Sequence, residues 1–166
     1  MPNLRQHRVS VLAPLALATC VALAACQSFG GEARALFEPA ADATTPLPAW
    51  SWRDGVLVSA APSGTRWSAA EYGDCEVRFD VRASDGLPSL VLRARSEGAF
   101  EIAVHAKPSG GWTHVRAVFD GDELDVEIDG ERSAFELPGA PARGRIGLSG
   151  EGYGELEIAH LTVRGD

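Results

Sequence analysis

Carboxylates recur at every second position in the stretch DELDVEID, which runs from Asp122 to Asp129. Alternate residues of a strand share one face, so this pattern would place a row of acids on one side and apolar residues on the other. The Cα atoms of Glu123 and Glu127 would then lie about 13 Å apart, at roughly 3.3 Å per residue. Side chains that lean together would just reach the roughly 5 to 5.5 Å that a carboxylate pair needs for retaining glycoside hydrolysis. The stretch therefore indicates either that chemistry or an ordinary solvated strand face.

The letters from Glu123 to Glu127 are similar to the catalytic strand of bacterial lichenases and laminarinases, which would make Glu123 a nucleophile and Glu127 an acid/base. The resemblance ends with this strand. The dipeptides Asp120-Gly121 and Asp129-Gly130 bracket the stretch, and both favour tight hairpin turns because Gly and Asp tolerate positive φ. The stretch is therefore predicted to be the middle strand of a meander, with its acids facing solvent.

The remaining chain after Leu47 shows no helical period, whereas alternation of period two is frequent. In DCEVRFDVRA, apolar residues alternate with charged ones, and Cys75 falls in phase with the apolar set, which predicts a small core residue rather than a nucleophile. Further strands are predicted at 55–59, 66–69, 89–95, 99–106, 112–119, 123–128, 132–137, 145–149 and 154–163. Many short strands between Gly, Pro, Asp and Ser turns predict an all-β fold, a two-sheet antiparallel jelly-roll sandwich of the concanavalin A/laminin G type.

The N-terminus has the pattern of a secretion signal. Arg5 and Arg8 precede an apolar run from Val9 to Ala25, which is shorter than the roughly 20 residues of a membrane span. The residues Leu23-Ala24-Ala25-Cys26 resemble the bacterial lipoprotein box, in which the cysteine is lipidated and becomes the first residue of the mature chain. Several acyl chains on Cys26 would anchor the protein to a membrane without spanning it.

Composition divides the rest of the chain. We expect a signal peptide at 1–25, a flexible tether rich in Ala, Gly, Thr and Pro at 26–47, and one domain at 48–166. Loss of the signal removes Arg5 and Arg8 and changes the formal net charge from −8 to −10. Such a surface repels phosphate backbones, so nucleic acid is not expected as a partner. Gln27, rather than Asp, follows the cysteine, which in enteric bacteria favours the outer membrane.

Read with its turns, the domain resembles the bacterial 3-keto-glycoside hydrolase/lyase (3-keto-disaccharide hydrolase) family, a concanavalin A-like jelly roll. The matching segments are YGDCEVRF with Arg82 at the end of its strand, SLVLRA with Arg93, FEIAV with Glu101, GGWTHVRAVFDGDELDVEIDGE and GRIGLSGEGYGELEIAHLTVR. The family's Asn-Ser-Gly, Asn-Gly and Arg-Asn motifs are replaced here, because asparagine occurs only at Asn3.

The resemblance implies a pocket in which Arg82 and Arg93 hold the oxygens of a keto-sugar while Glu101 moves a proton. General acid/base catalysis gives such roles to these groups. The alternative is a cross-strand ion pair on a wet sheet face, worth less than about 1 kcal/mol when exposed.

Aromatic residues and histidines supply the remaining candidates. Trp50 and Trp52, where the domain begins, are expected to be exposed and to stack on sugar rings. His105, His114 and His160 fall on three separate predicted strands without the short spacing typical of metal ligands, so neither a metal nor a cofactor is predicted. No acidic loop has calcium-ligand spacing.

These patterns predict a domain anchored at the bacterial cell envelope through Cys26, at the outer membrane and facing the periplasm or the surface. Its expected partner is a saccharide or glycoconjugate. Two alternatives remain open: an enzyme that cleaves or hydrates 3-keto-glycosides, and a structural lipoprotein that makes protein contacts.

Overall fold

The computed structural model describes residues 31–37, 49–86, 89–94, 101–105, 107, 110–139 and 141–165. The predicted signal peptide and Cys26 lie outside the described residues. The described part contains strands and no helix, so no helix there is long and apolar enough to cross a membrane. The strands are β1 (Arg34–Ala35), β2 (Trp50–Arg53), β3 (Val56–Ala61), β4 (Arg66–Tyr72), β5 (Cys75–Gly86), β6 (Ser89–Ala94), β7 (Glu101–His105), β8 (Thr113–Asp120), β9 (Glu123–Ile128), β10 (Glu131–Glu136), β11 (Gly144–Glu151) and β12 (Gly154–Gly165).

The strands form two antiparallel sheets. The large sheet has eight strands in the order β10-β9-β8-β5-β12-β3-β2, with β1 also paired to β12. The small sheet has four strands in the order β4-β11-β6-β7. The predicted jelly-roll sandwich is confirmed, and the long strands β5 and β12 form the centre of the large sheet.

The core lies between the sheets and is built by the period-two pattern of the sequence. Along β5, Cys75, Val77, Phe79 and Val81 are fully buried. The predicted character of Cys75 as a small core residue is thereby confirmed. The intervening charged residues of β5 lie on the opposite face, which is the outer face of the large sheet.

The predicted hairpin turns form where Gly and Asp permit positive φ. Asp129 and Gly130 have φ of 52° and 89° and connect β9 to β10. Ile128, the last residue of β9, pairs with Glu131, the first residue of β10. Two consecutive left-handed residues match the twist of the flanking strands. DELDVEID therefore contains the middle strand of a meander, between β8 and β10, as its bracketing turns predict.

Residues 31–37 belong to the domain, although the sequence predicts them to lie in the tether. Arg34 and Ala35 pair with Val163 and Thr162 of β12. Leu36 and Phe37 are buried and join the core. The prediction fails here because two adjacent apolar residues in an Ala- and Gly-rich segment carry no recognisable period.

A β-bulge interrupts β12 where it pairs with β5. Ala159 pairs with Asp80 and Thr162 with Arg78, so His160 and Leu161 together oppose a single residue, Phe79. A bulge adds one residue to one strand and lets two successive side chains leave the regular alternation. As a result, Leu161 returns to the core while His160 is placed on the outer face.

Candidate functional site

The centre of the large sheet's outer face carries two clusters of paired charges. Each is built around one carboxylate of β5 that two basic side chains share. The first, which we call the Asp80 cluster, consists of Asp80, His114 and His160. The second, the Glu76 cluster, consists of Glu76, Arg78 and Arg116.

The Asp80 cluster joins three adjacent strands. The Nδ1 atom of His114 on β8 lies 2.6 Å from Oδ1 of Asp80, and the Nδ1 atom of His160 on β12 lies 2.6 Å from Oδ2. Both imidazoles are largely exposed, whereas the side chain of Asp80 is 19% exposed. One recessed carboxylate thus orients two solvent-facing rings.

The backbone of His160 is shaped for this contact. Its φ of 52° lies in the left-handed region, which residues with a side chain rarely adopt. Such a conformation costs free energy and tends to occur at functional sites, where surrounding contacts maintain it. The bulge and the hydrogen bond to Asp80 provide those contacts here.

Asp129 positions the backbone on the other side of the cluster. Its Oδ1 accepts the backbone N–H of His114 at 3.0 Å, and its own N–H donates to the carbonyl of His114. Its other oxygen lies 2.9 Å from Nζ of Lys107. Burial would raise the pKa of Asp129, but the hydrogen bonds from His114 and Lys107 outweigh it and lower the pKa. The last acid of DELDVEID is therefore a positioning residue for His114.

The protonation of the Asp80 cluster follows from its hydrogen bonds. Burial would raise the pKa of Asp80, but hydrogen bonds from His160 and His114 outweigh it, so the net pKa lies below its usual value. An ionised carboxylate only accepts hydrogen bonds, so each Nδ1 carries the shared proton. In a neutral imidazole this leaves the Nε2 atom as an acceptor; protonation turns it into a donor.

The Glu76 cluster resolves a conflict between neighbouring cations. Arg78 and Arg116 are directly opposed on β5 and β8, and like charges in such a pair are destabilising. Glu76 accepts the Nε–H of Arg78 at 2.7 Å and the Nε–H of Arg116 at 2.6 Å. Burial would raise the pKa of Glu76, but these two hydrogen bonds outweigh it and lower the pKa.

An open depression of about 420 Å³ lies over both clusters. Its lining residues are Arg78, Phe79, Asp80, His114, Val115, Arg116, Glu127, Gly130, His160 and Thr162. Phe79 and Val115 point into the core. The lining therefore offers side-chain donors and acceptors from four strands, which suits a ligand with many hydroxyl or charged groups.

Arg82 lies on the same outer face but belongs to a different contact set. Its Nε donates to Oε2 of Glu157 at 2.7 Å, and its guanidinium carbon lies 4.5 Å from the ring centroid of Trp112. This cation–π contact fixes the side chain beside the depression. Arg82 does not line the depression itself.

Arg93 and Glu101 are register partners on β6 and β7 of the small sheet. The structure therefore brings these two positions together and separates them from Arg82, which is on the large sheet. In the same row of the small sheet, Trp67 of β4 pairs with Gly147 of β11, and Gly147 pairs with Arg93. A Cβ atom on Gly147 would lie 2.7 Å from Cε3 of Trp67, so the indole requires glycine there.

The expected exposure of the entrance tryptophans is wrong for Trp50, which is only 7% exposed and donates its indole N–H to the carbonyl of Gly64. Trp52 is half-buried and packs against the core. Both lie on β2, whose pairing with β3 draws the start of the domain into the large sheet. The sequence carries a signal of this pairing, because Asp54-Gly55, with φ of 51° and 80°, forms the same kind of tight hairpin turn as Asp129-Gly130.

The acids of β9 are divided by the structure. Glu127 lines the depression and lies 3.0 Å from the Nε of Arg132, whereas Glu123 is exposed and does not line it. The two carboxylates of the glycosidase hypothesis therefore do not face one pocket. Within the part of the chain that the structure describes, no group of three or more His, Cys, Asp or Glu side chains is placed to hold a metal ion. His105 lies on β7, and its Nδ1 atom is 2.8 Å from the hydroxyl of Ser89.

Both histidines of the Asp80 cluster are candidates from the sequence alone, but the sequence does not predict that they lie close together. A readable signal exists in β12, where the apolar residues Leu156 and Ile158 are two apart but Ile158 and Leu161 are three apart. That change of phase indicates a bulge. It does not reveal which strand lies opposite, and the contact with Asp80 depends on that.

Two antiparallel sheets that enclose one core, with a polar outer face, define a jelly-roll sandwich of the galectin-like kind. No protein-family model and no curated protein matches the chain. A candidate glycosyl hydrolase from Parabacteroides distasonis superposes with a TM-score of 0.61 at 16% identity, covering 82% of this chain and 100% of that chain. The carbohydrate-binding module CBM66 from Bacillus subtilis gives 0.52 at 12% identity, with 70% and 91% covered.

A protein of unknown function with a galectin-like fold, also from Bacillus subtilis, gives a TM-score of 0.55 at 9% identity and covers 82% of this chain and 97% of that chain. Identities this low establish the fold alone.

Proposed function

We propose that this domain binds a saccharide in the depression over the Asp80 and Glu76 clusters. The observation that carries the proposal is the convergence of His114, His160 and Arg116 on one depression whose volume lies in the range of small-ligand pockets. Sugars are recognised through many directional hydrogen bonds, and these side chains are held by carboxylates beneath them. The proposal is supported by neighbours of the same fold that are named as a carbohydrate-binding module and as candidate glycosyl hydrolases.

We test the proposal with the full-length protein, purified in detergent, on an array of neutral and acidic bacterial and plant glycans. The double variant His114→Ala/His160→Ala should bind any glycan found on the array at least tenfold more weakly than the parent, a loss of about 1.4 kcal/mol of binding free energy. The matched control is His105→Ala, which removes an exposed histidine from the small sheet. Absence of any bound glycan would refute the proposal and favour a structural role, and an equal loss in the control would remove the depression as the site.

We also propose that lipidated Cys26 anchors the domain at the outer membrane of the bacterial envelope. The support is the sequence pattern Leu23-Ala24-Ala25-Cys26 after a short apolar run. Cys26→Ala should move the protein from the membrane fraction to the soluble periplasmic fraction. Cys20→Ala, which changes the other cysteine near the N-terminus, within the apolar run, is the matched control and should leave the protein in the membrane fraction. A Cys26→Ala protein that stays with the membrane would contradict the anchor.

A second candidate function is the cleavage or hydration of 3-keto-glycosides. The observation that favours it is the direct pairing of Arg93 with Glu101 in the row that also holds Trp67. Glu101→Gln should then abolish turnover of a 3-keto-disaccharide while glycan binding at the depression persists. No turnover by the parent protein, or equal turnover by the variant, would exclude this role for Glu101.

A further inference from the structure

The charges around the depression cancel except for the histidines. The charged side chains that face the depression or bind those that do are Arg78, Arg116, Arg132, Glu76, Asp80 and Glu127. Beside them, Lys107 pairs with Asp129 and Arg82 with Glu157. Among these described side chains, cations and anions are therefore equal in number when both imidazoles are neutral. Protonation of His114 and His160 adds up to two positive charges, in a chain whose formal net charge is −8.

Protonation also reverses the hydrogen-bonding sense of the rings. Because both Nδ1 atoms face the carboxylate of Asp80, it is the outward Nε2 atoms that change from acceptor to donor. Arg78 binds Glu76 through Nε. Its two Nη groups have no hydrogen-bond acceptor among the described residues, so they can donate to a ligand. The depression thus gains both positive charge and donors as the pH falls.

The geometry points to a sugar that carries a carboxylate: we infer that the depression holds a uronic acid residue, and holds it more tightly as His114 and His160 become protonated. Arginine and protonated histidine form short, charge-assisted hydrogen bonds with carboxylates. A carboxylate brings one negative charge, whereas a phosphate monoester brings close to two next to Asp80 and Glu127. This inference rests on the proposed function, because it names the ligand class of the same depression.

The test uses oligomers of galacturonate, glucuronate and guluronate, each beside its uncharged methyl ester, with the full-length protein in detergent. Binding is measured by calorimetry at about pH 5.5 and about pH 8, on either side of the range in which histidines ordinarily titrate. At least one acid should bind about tenfold more tightly at the lower pH, the gain expected from one charge-assisted hydrogen bond. Repetition in two buffers of different ionisation heat should show proton uptake with the acid and none with its ester.

The double variant His114→Gln/His160→Gln retains hydrogen-bonding side chains but cannot be protonated, so its affinity for the acid should no longer depend on pH. His105→Gln is the matched control and should keep the pH dependence. If acid and ester bind alike at both pH values, the inference is overturned while the proposed saccharide site stands. If no oligomer binds and the glycan array is also empty, both are overturned. A pH dependence that survives in the double variant would also overturn the inference, since another group would then be responsible.

Discussion

The centre and the edge of the large sheet use carboxylates differently. At the centre, Glu76 and Asp80 are recessed and each is shared by two basic side chains. The partners of Asp80 come from β8 and β12, and those of Glu76 come from β5 itself and β8. In the edge region, on β9 beside the edge strand β10, Glu123 and Asp125 are exposed, and Glu127 pairs with Arg132 of β10. The density of acids in the sequence is higher at the edge, but the shared contacts and the depression are at the centre.

This difference shows that a row of acidic residues along one strand does not by itself form a binding site. A row needs only one strand with a solvated face, and it arises whenever a sheet has one wet side. A shared carboxylate needs at least two paired strands in one register, around a recessed position. The centre should therefore respond strongly to substitution in both stability and binding, whereas the exposed edge should not.

The largest expected effect comes from Glu76→Gln. The substitution leaves Arg78 and Arg116 directly opposed without the carboxylate between them, in a position where Glu76 is 6% exposed. The free energy of unfolding should fall by roughly 2 kcal/mol, since a buried carboxylate that accepts hydrogen bonds from two arginines loses its charge. Urea denaturation measures it.

The control for this comparison is Glu123→Gln on the exposed edge, which should change the free energy of unfolding by less than about 0.5 kcal/mol. Adding Arg78→Gln to Glu76→Gln should recover part of the loss, because it removes one of the opposed cations. Equal effects of the two single substitutions would erase the distinction between centre and edge.

Acid should weaken the carboxylate contacts at the centre. The pKa values of Glu76 and Asp80 are lowered in the folded protein, because hydrogen bonds from arginine and histidine outweigh the effect of burial. A lowered folded-state pKa contributes stability that is present above the unfolded-state value and is lost as the pH falls through the folded-state value. The free energy of unfolding should therefore decline from about pH 5 downward, near the ordinary carboxylate range.

Urea titrations at a series of pH values should show a shallower decline in Glu76→Gln than in the parent. Val126→Ala is a suitable control, because it removes buried apolar volume on β9 and lowers stability without removing a carboxylate. Its curve should be lower but parallel to that of the parent. A parallel curve for Glu76→Gln would show that Glu76 is not a source of the acid sensitivity.

Much of the fold can be predicted from the sequence because it depends on local signals. Alternation along β5 and β9 fixes which face is buried, and Asp129-Gly130 fixes a hairpin through backbone conformations that few residues adopt. Strand β1 and the buried Leu36 and Phe37 were not predictable, because their structure depends on a distant partner, β12. Short segments have no period of their own.

The site is harder to predict from the sequence than the fold, because it too depends on partners that are distant in the chain. Asp80, His114 and His160 are separated widely along the chain and meet only because β8, β5 and β12 are neighbours in the large sheet. The separation of Arg82 from the Arg93–Glu101 pair likewise follows from sheet membership, which alternation does not encode. Strand order is a property of the whole fold, and single-strand patterns leave it open.

The smallest expected effect, and the most direct comparison of backbone with side chain, is at His160. Its left-handed φ is strained for any residue with a Cβ atom but not for glycine. We therefore expect His160→Gly to be more stable than His160→Ala by about 1 kcal/mol, since both lose the hydrogen bond to Asp80 and only one relieves the backbone. Thermal or urea unfolding measures the difference. The corresponding pair at His114, on the regular strand β8, should show the opposite order, because glycine weakens a strand interior.

Two outcomes at His160 would change this interpretation. If His160→Gly is as stable as the parent, the histidine is retained at that position for its imidazole and not for the fold. If His160→Ala is as stable as His160→Gly, the bulge does not impose the strain that the φ of His160 indicates.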